Sequence, residues 1–493
     1  MIGVFWPLAA VLVACRFYAF RPYLDHPHLF RQADTAFYSL GFYRFGMNIL
    51  TPSVGWLGDH RRLVLEFPLT EWLTALVYSA TGPTILVDRL VNLGFFLGSA
   101  FFLHQIVELV HDRVLARLAT LAYLAAPLGI YYSRAVHVDF TAVCFAHAFL
   151  YYTLRFVVAG GTRHAGLAAA SGAVAVAIKV PYAFYLVLPI LLVCLQERAG
   201  WRRVAQVGLI LVVPAAAFVG WFVHARSVNS ETPDLSFIPG YFSHVDRFAW
   251  YFGTLADRWM LDPWRTVAGR VHREIASTVW WAALPLGLLA WRRLGRYYAF
   301  VLAWSAGTVV YLVIFLNLNE RHNYYQIPFI APFSLWLAGA AYACWSADAR
   351  ILRRGQRMAA ALLIAYAGSS MAVAVTRFYR TEPLHPAIGE FVRRHTAEED
   401  LVVMAYAEAE YADPSFLFQA RRYGWSVDHG ELTPAVIEGL LVHGATTVVT
   451  STLWPPGPGT MDYLATRSLA GVFPVEGGEI RVHRLPDRGG SRR

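Results

Sequence analysis

The chain is short of charge. Of its 493 residues only 15% are Asp, Glu, Lys or Arg, while 57% are hydrophobic. A soluble protein carries about a quarter charged residues. That deficit excludes an ordinary water-soluble enzyme and fits a chain whose main solvent is lipid. Lysine is nearly missing: Lys179 is the single one, and every other basic residue is arginine. Cysteine is scarce too. Cys15, Cys144, Cys194 and Cys344 all fall in apolar runs, which predicts buried thiols and neither a disulfide nor a cysteine metal site. There is no internal repeat, no Gly-rich nucleotide loop, and no basic start or small-residue cleavage site around the first apolar run, residues 2–20. That run reads as a retained helix rather than a removed signal peptide.

What is present is a succession of apolar stretches. They fall at 2–20, 84–110, 114–132, 140–158, 164–180, 182–196, 204–224, 276–291, 298–316, 327–345 and 358–376. The fold class this predicts is a polytopic α-helical membrane protein of about eleven transmembrane helices. A small C-terminal α/β domain follows. The transmembrane module covers residues 1–376 and the soluble domain 377–493. In the tail, 386–395 and 433–443 read as helices, and 400–405, 446–450 and 480–485 as strands.

The net charge of +9 would suggest nucleic acid in a soluble protein. Here the arginines sit in alternate short loops and argue against a nucleic-acid partner. Arg113 and Arg117 mark one such loop. The others are marked by Arg155 and Arg163; by Arg198, Arg202 and Arg203; by Arg292, Arg293 and Arg296; and by Arg350, Arg353, Arg354 and Arg357. Basic loops stay cytoplasmic. The expected localisation is therefore the cell inner (plasma) membrane, multi-pass, with a cytoplasmic N-terminus. Segment 21–83, loop 225–275 and the tail lie outside. Segment 21–83 contains two helix-like amphipathic stretches, 34–50 and 65–80. Phe37, Tyr38, Phe42, Tyr43 and Phe45 crowd the first, and both stretches read as helices lying along the outer membrane interface, where aromatic rings favour the headgroup level.

Ionisable groups beside membrane spans are costly and mark function. Here they gather on the outer side. Asp34 stands in Arg31-Gln32-Ala33-Asp34, and is either a helix cap or a carboxylate poised as general base. Asp139 follows Ser133-Arg134-Ala135-Val136-His137-Val138, and would cap a helix or act with Arg134 and His137. Glu66 opens Glu-Phe-Pro-Leu-Thr-Glu-Trp. Lys179 ends a span just before Pro181. Arg321, His322, Tyr324 and Tyr325 form a further group. Each has a plain structural reading as a cap, turn or snorkelling side chain. Their shared side points to a site for an anionic lipid headgroup.

This pattern resembles the GT-C glycosyltransferases that use polyprenyl-phosphate sugars, most of all the protein O-mannosyltransferase and lipid A aminoarabinose transferase group. The matching elements are Asp34 in the first outer loop, Ser133-Arg134 through Asp139, and Pro68, Leu69 and Trp72. Lys179 near a Pro and Tyr324-Tyr325 before Pro328 complete them. Two positions depart from the pattern. Thr35 follows Asp34 where many members have Glu, and Glu66 stands where lipid A transferases carry Lys, so the acceptor stays open.

The resemblance implies an inverting sugar transfer from a polyprenyl-phosphate donor to a hydroxyl on a lipid, glycan or protein, with membrane lipids as surroundings. It implies Asp34 as base, with Asp139 as a second carboxylate or a partner for a cation. Lys179, Arg134, Arg321 and His322 are the candidate phosphate ligands. Arg31, Glu66, His137, Tyr324 and Tyr325 are further candidates for substrate binding. No cofactor is assigned. A divalent metal stays open, with His26, His28, Asp34 and His322 as conceivable ligands. Two other classes compete: an O-antigen ligase or polymerase, and a flippase or transporter of lipid-linked sugars. A transporter should string polar groups across the membrane midplane, whereas here the span middles are apolar.

Overall fold

The computed structural model describes residues 2–24, 26–241, 247–291, 293–345, 352–379, 384–407 and 413–486. Arg292, Arg350 and part of the tail read from the sequence fall outside them. Among the described residues, six helices are long and apolar enough to cross a membrane: Ile85–Val110, Asp139–Ala159, Trp201–Asn229, Gly295–Ile314, Asn323–Trp345 and Arg354–Phe378. Phe5–Phe17 and Val180–Gln196 are shorter apolar helices. The chain is a multi-pass membrane protein.

Several of the eleven expected spans are divided by the chain's own punctuation. The run 114–132 breaks at Ala126, before Pro127, into Arg113–Ala125 and Pro127–Tyr132. The residue before a proline is pushed out of the helical region, and Ala126 is extended at φ −61°, ψ 131°. Asp112 starts the first of these helices by accepting the Leu115 N–H at 2.8 Å. Gly160 and Gly161, both at positive φ, separate Asp139–Ala159 from Thr162–Ile178, at the boundary expected between the spans 140–158 and 164–180.

The chain divides into two compact units. The first comprises Met1–Phe20, Arg89–Val223 and Asp246–Arg380, and is helical. The second comprises Arg21–Asp88, His224–Val245 and Thr381–Arg493. Its centre is a five-stranded sheet in the order β2-β1-β3-β5-β4, with β1 Leu401–Ala405, β2 Tyr423–Ser426, β3 Thr447–Ser451, β4 Ser468–Val475 and β5 Gly478–Arg484. β1 pairs in parallel with β2 and β3, while β5 runs antiparallel to β3 and β4. The parallel strands are buried along their whole length, because helices such as Leu384–His395 and Pro434–Val442 cover them. β4 and β5 close a hairpin over Glu476 and Gly477, whose φ of +83° suits Gly.

The tail's two main helices and β1, β3 and β5 lie where the sequence places them, whereas β2 and β4 do not stand out in it. β2 is four residues, and β4 carries Gly471 and Pro474 on a half-exposed edge, where neither breaker interrupts a central ladder.

The sheet shares one core with the first long segment after residue 20. Phe37, Trp56, Leu57 and Leu63 join Val402, Val448, Leu417 and Trp425 in a single buried cluster. The Gly58 N–H donates to the Gly424 carbonyl at 2.9 Å and the Gly424 N–H to the Gly55 carbonyl at 3.0 Å. Gly58 has φ +62°, and a Cβ there would fall 2.0 Å from the Trp425 ring. This core changes the reading of the amphipathic stretches. The first helix is Leu29–Phe45, ended by Gly46 at φ +115°, and residues 32–42 are all buried. Phe37 lies edge-on to Phe418 at 5.2 Å instead of facing headgroups. Burying such a ring contributes on the order of 2 kcal/mol. Tyr43 and Phe45 alone of that aromatic set stay largely exposed. The second helix, Leu69–Thr81, starts after Pro68.

Candidate active site

In the second unit, helix Leu29–Phe45 carries Arg31 and Asp34 one turn apart, on neighbouring positions of one face. Asp34 is 2% exposed. Its Oδ1 accepts the Trp56 indole N–H at 3.1 Å, and its Oδ2 lies 3.4 Å from Arg31 Nη1. Arg31 reaches on to Glu66, Nη2 to Oε1 3.0 Å. One guanidinium thus bridges two of the carboxylates singled out in the sequence. Burial pushes the Asp34 carboxyl up to about 6, against the pull of the Arg31 charge and the indole donor.

Glu71, in the first turn of helix Leu69–Thr81, is a further acid of the same Glu66–Trp72 stretch, and its place at a helix start hides its burial from the sequence. It is 3% exposed, and its Oε2 has no hydrogen-bond partner among the described residues. Burial raises its carboxyl to about 8, with Arg31 opposing and Glu66 and Asp34 adding to the rise. Glu71 is therefore mostly protonated at pH 7. A carboxyl raised on folding stabilises the fold at low pH, and that contribution is lost as pH climbs from about 4.5 to about 8. For Glu71 the loss between pH 6 and pH 9 is about 2–3 kcal/mol. Asp34 has completed most of its own loss by about pH 6–7, so the higher window isolates Glu71. Glu71→Gln should remove this part of the pH dependence. Thermal unfolding in detergent at pH 6 and pH 9 reads it, and equal slopes for variant and wild type would refute the assignment.

The first unit holds the second constellation. Asp139 opens helix Asp139–Ala159 and is fully buried. Lys179 follows helix Thr162–Ile178, where Pro181 forces a 3₁₀ segment, Val180–Leu186. Its ammonium donates to Asp139 Oδ1 at 2.9 Å. His137 Nδ1 closes on Asp139 Oδ2, and the Tyr182 hydroxyl donates to Oδ1. The ammonium also lies 4.7 and 4.4 Å from the ring centres of Tyr324 and Tyr325. Tyr324 packs on His137 at 4.6 Å and stacks on His322 at 5.0 Å and 11°. Six of the residues chosen from the sequence thus form one knot: His137, Asp139, Lys179, His322, Tyr324 and Tyr325.

The two remaining choices stand apart from the Asp139 carboxylate. Arg134 is buried, and its guanidinium donates to the carbonyls of Tyr18 and Ala19 at 2.5 and 2.8 Å. Arg321 is exposed, donates to Asn317 Oδ1 at 3.2 Å and lies over the Trp250 ring at 5.1 Å.

Tyr132, Asn323 and Glu274 were not legible as site residues before the structure. The Tyr132 hydroxyl donates to Asn323 Oδ1 at 2.5 Å, and the Asn323 amide donates to Glu274 Oε2 at 2.8 Å. Glu274 pairs with Arg377 at 3.3 Å. Their separations in sequence are long and no local pattern links them. Tyr182 had a signal, since it follows Lys179 in Lys-Val-Pro-Tyr. Among the described residues, no three His, Cys, Asp or Glu side chains come together as a metal site.

A helical membrane unit, a buried acid in the segment after the first helix, and a small α/β domain together define the fold class: it is that of the GT-C glycosyltransferases. The resemblance stated from the sequence is borne out. Residues 66–224 match the family described as dolichyl-phosphate-mannose-protein mannosyltransferase. The structure is similar to ArnT from Cupriavidus metallidurans in the apo state, at TM-score 0.65 and 16% identity over 98% of each chain. It is also similar to the same protein bound to undecaprenyl phosphate, at TM-score 0.61 and 16% identity over 99% of each. The archaeal oligosaccharyltransferase AglB from Archaeoglobus fulgidus, in complex with an inhibitory peptide and a dolichol-phosphate, gives TM-score 0.54 and 9% identity. That match spans 97% of this chain and 74% of AglB. No curated protein matches the sequence.

Proposed function

We propose that this chain is an integral membrane glycosyltransferase, in the inner (plasma) membrane, that moves a sugar from a polyprenyl-phosphate donor to a hydroxyl acceptor on the outer face with inversion. The observation that carries the reading is Asp34, a buried carboxylate held by Trp56 and Arg31 with its pKa raised to about 6. A base works best when its pKa approaches the working pH. In one step Asp34 takes the acceptor's hydroxyl proton, the oxygen bonds to the anomeric carbon, and the bond from that carbon to the donor phosphate oxygen breaks. The leaving group is a phosphate monoester, which needs cations rather than a general acid.

Arg321 and His322 suit the phosphate role better than Arg134, whose guanidinium is spent on two carbonyls. Lys179 and Asp139 form a neutral buried pair, and Asp139 serves as the partner of that cation rather than as a second base. The likeness to proteins described with bound undecaprenyl phosphate and dolichol-phosphate supports a polyprenyl-phosphate donor. Residues 377–493, on this reading, form an extracytoplasmic domain.

The test is a choice of donors. Purified protein should release polyprenyl phosphate from a polyprenyl-monophosphate sugar, and leave a polyprenyl-diphosphate oligosaccharide untouched. The product should carry the opposite anomeric configuration by NMR. Turnover of the diphosphate donor alone would establish the ligase or polymerase class instead.

A further inference from the structure

A groove of about 820 Å³ runs along the N-terminal helix Phe5–Phe17, the first helix of the chain, where it faces helices Ile85–Val110 and Arg113–Ala125. All of its walls belong to the first unit. Its length and its polarity are both informative. From Phe5 to Phe17 the first helix rises about 18 Å, close to half of a hydrocarbon core roughly 30 Å thick. Along that length the lining is apolar, with Ala9, Ala10, Val13 and Leu97 among its walls.

One end is different. His104, Gln105, Glu108, Arg113 and Arg117 meet there, beside Phe5. The charges do not cancel. Glu108 takes Arg113 at 2.8 Å and lies 3.6 Å from His104. Arg117 is left: half-buried, with no hydrogen bond or ion pair among the described residues, its guanidinium carbon 5.9 Å from the Phe5 ring centre. A half-buried cation at the mouth of an apolar slot one leaflet deep matches an anionic amphiphile.

We propose that this groove binds one anionic phospholipid, one acyl tail lying between the first helix and its neighbours and the headgroup phosphate on Arg117. By the arginine distribution the mouth opens to the cytoplasmic leaflet, so the lipid is distinct from the sugar donor. Anionic lipids attract basic side chains near a leaflet surface, and the groove makes that attraction stoichiometric. The bound lipid would add to the direct ties that Arg16 already makes to Ser133 and to the Leu124 carbonyl, both at 2.7 Å.

Native mass spectrometry of the full-length protein, given equal amounts of phosphatidylglycerol and phosphatidylcholine in detergent, tests it. One phosphatidylglycerol per chain should be retained, in preference by about fivefold. Arg117→Gln should abolish the preference and Arg117→Lys should keep it. Ala10→Trp, which fills the groove, should release both lipids. Glu108→Gln combined with Arg113→Gln should leave the preference in place, since that pair is neutral as a unit and its removal leaves Arg117 as the mouth's cation. Equal retention of the two lipids by the wild-type protein would overturn the proposal without any variant. So would a preference that survives in folded Arg117→Gln, or displacement of the lipid by glycerol 3-phosphate, which would reveal an anion site with no tail.

Discussion

Asp34→Asn should lower sugar transfer between about a hundredfold and ten-thousandfold, the range a positioned general base supplies. The fold should survive, because an amide oxygen can still accept the Trp56 N–H across 3.1 Å, and the side chain keeps its volume inside a buried helix face. What disappears is the ability to hold a proton taken from the acceptor. The wild-type pH profile sharpens the test. Asp34 has its pKa raised to about 6, so transfer should rise as pH climbs through that value and level off above it. The residual rate of Asp34→Asn should show no such rise. Initial rates with a polyprenyl-monophosphate sugar, measured from pH 4.5 to 8, read both. A variant within a factor of ten of wild type would remove Asp34 from the role of base, whatever its profile.

The second large effect concerns Lys179. Replacing it by Met leaves Asp139 buried without its 2.9 Å ammonium partner. Breaking a buried pair from one side costs about 3–5 kcal/mol. His137 and Tyr182 still contact the carboxylate and should hold the loss toward the lower figure. Lys179→Met with Asp139→Asn should recover much of the stability, since the stranded charge is gone, and the coupling in that double-mutant cycle should be 1.5 kcal/mol or more, roughly the scale of contacting charges. Additive losses would mean that the pair is not coupled. The same variants bear on function. Donor affinity that follows stability back in the double variant makes the pair a scaffold for Tyr324 and Tyr325. Affinity lost in both variants makes the ammonium a direct phosphate ligand.

The sequence carried the membrane class because that information is compositional. Apolar runs and arginine-bearing loops need no knowledge of which helix touches which. The same holds for the α/β tail, whose Pro434–Val442 helix and Thr447–Ser451 strand have their own periodicity and turn signals. It carried Asp34, Asp139 and Lys179 for a related reason: an ionisable side chain beside an apolar run is expensive wherever the chain goes, so its presence is informative before its neighbours are known. The divided spans around Ala126 were less legible. A proline's effect on the preceding residue is local, but whether two short helices or one long one results depends on what packs beside the break.

Tertiary structure alone decided the partners. Trp56 is 22 residues from the carboxylate it bonds, and Glu274 is 49 residues from Asn323. Nothing in either local sequence marks those pairs, because a hydrogen bond between distant residues is set by the path of the whole chain. The aromatics of Leu29–Phe45 make the same point in reverse. Their composition fits a lipid interface and a protein core equally well, since both are apolar surroundings for a ring. Only the sheet domain's own uncovered face, filled by Phe37 and Trp56, chose between them.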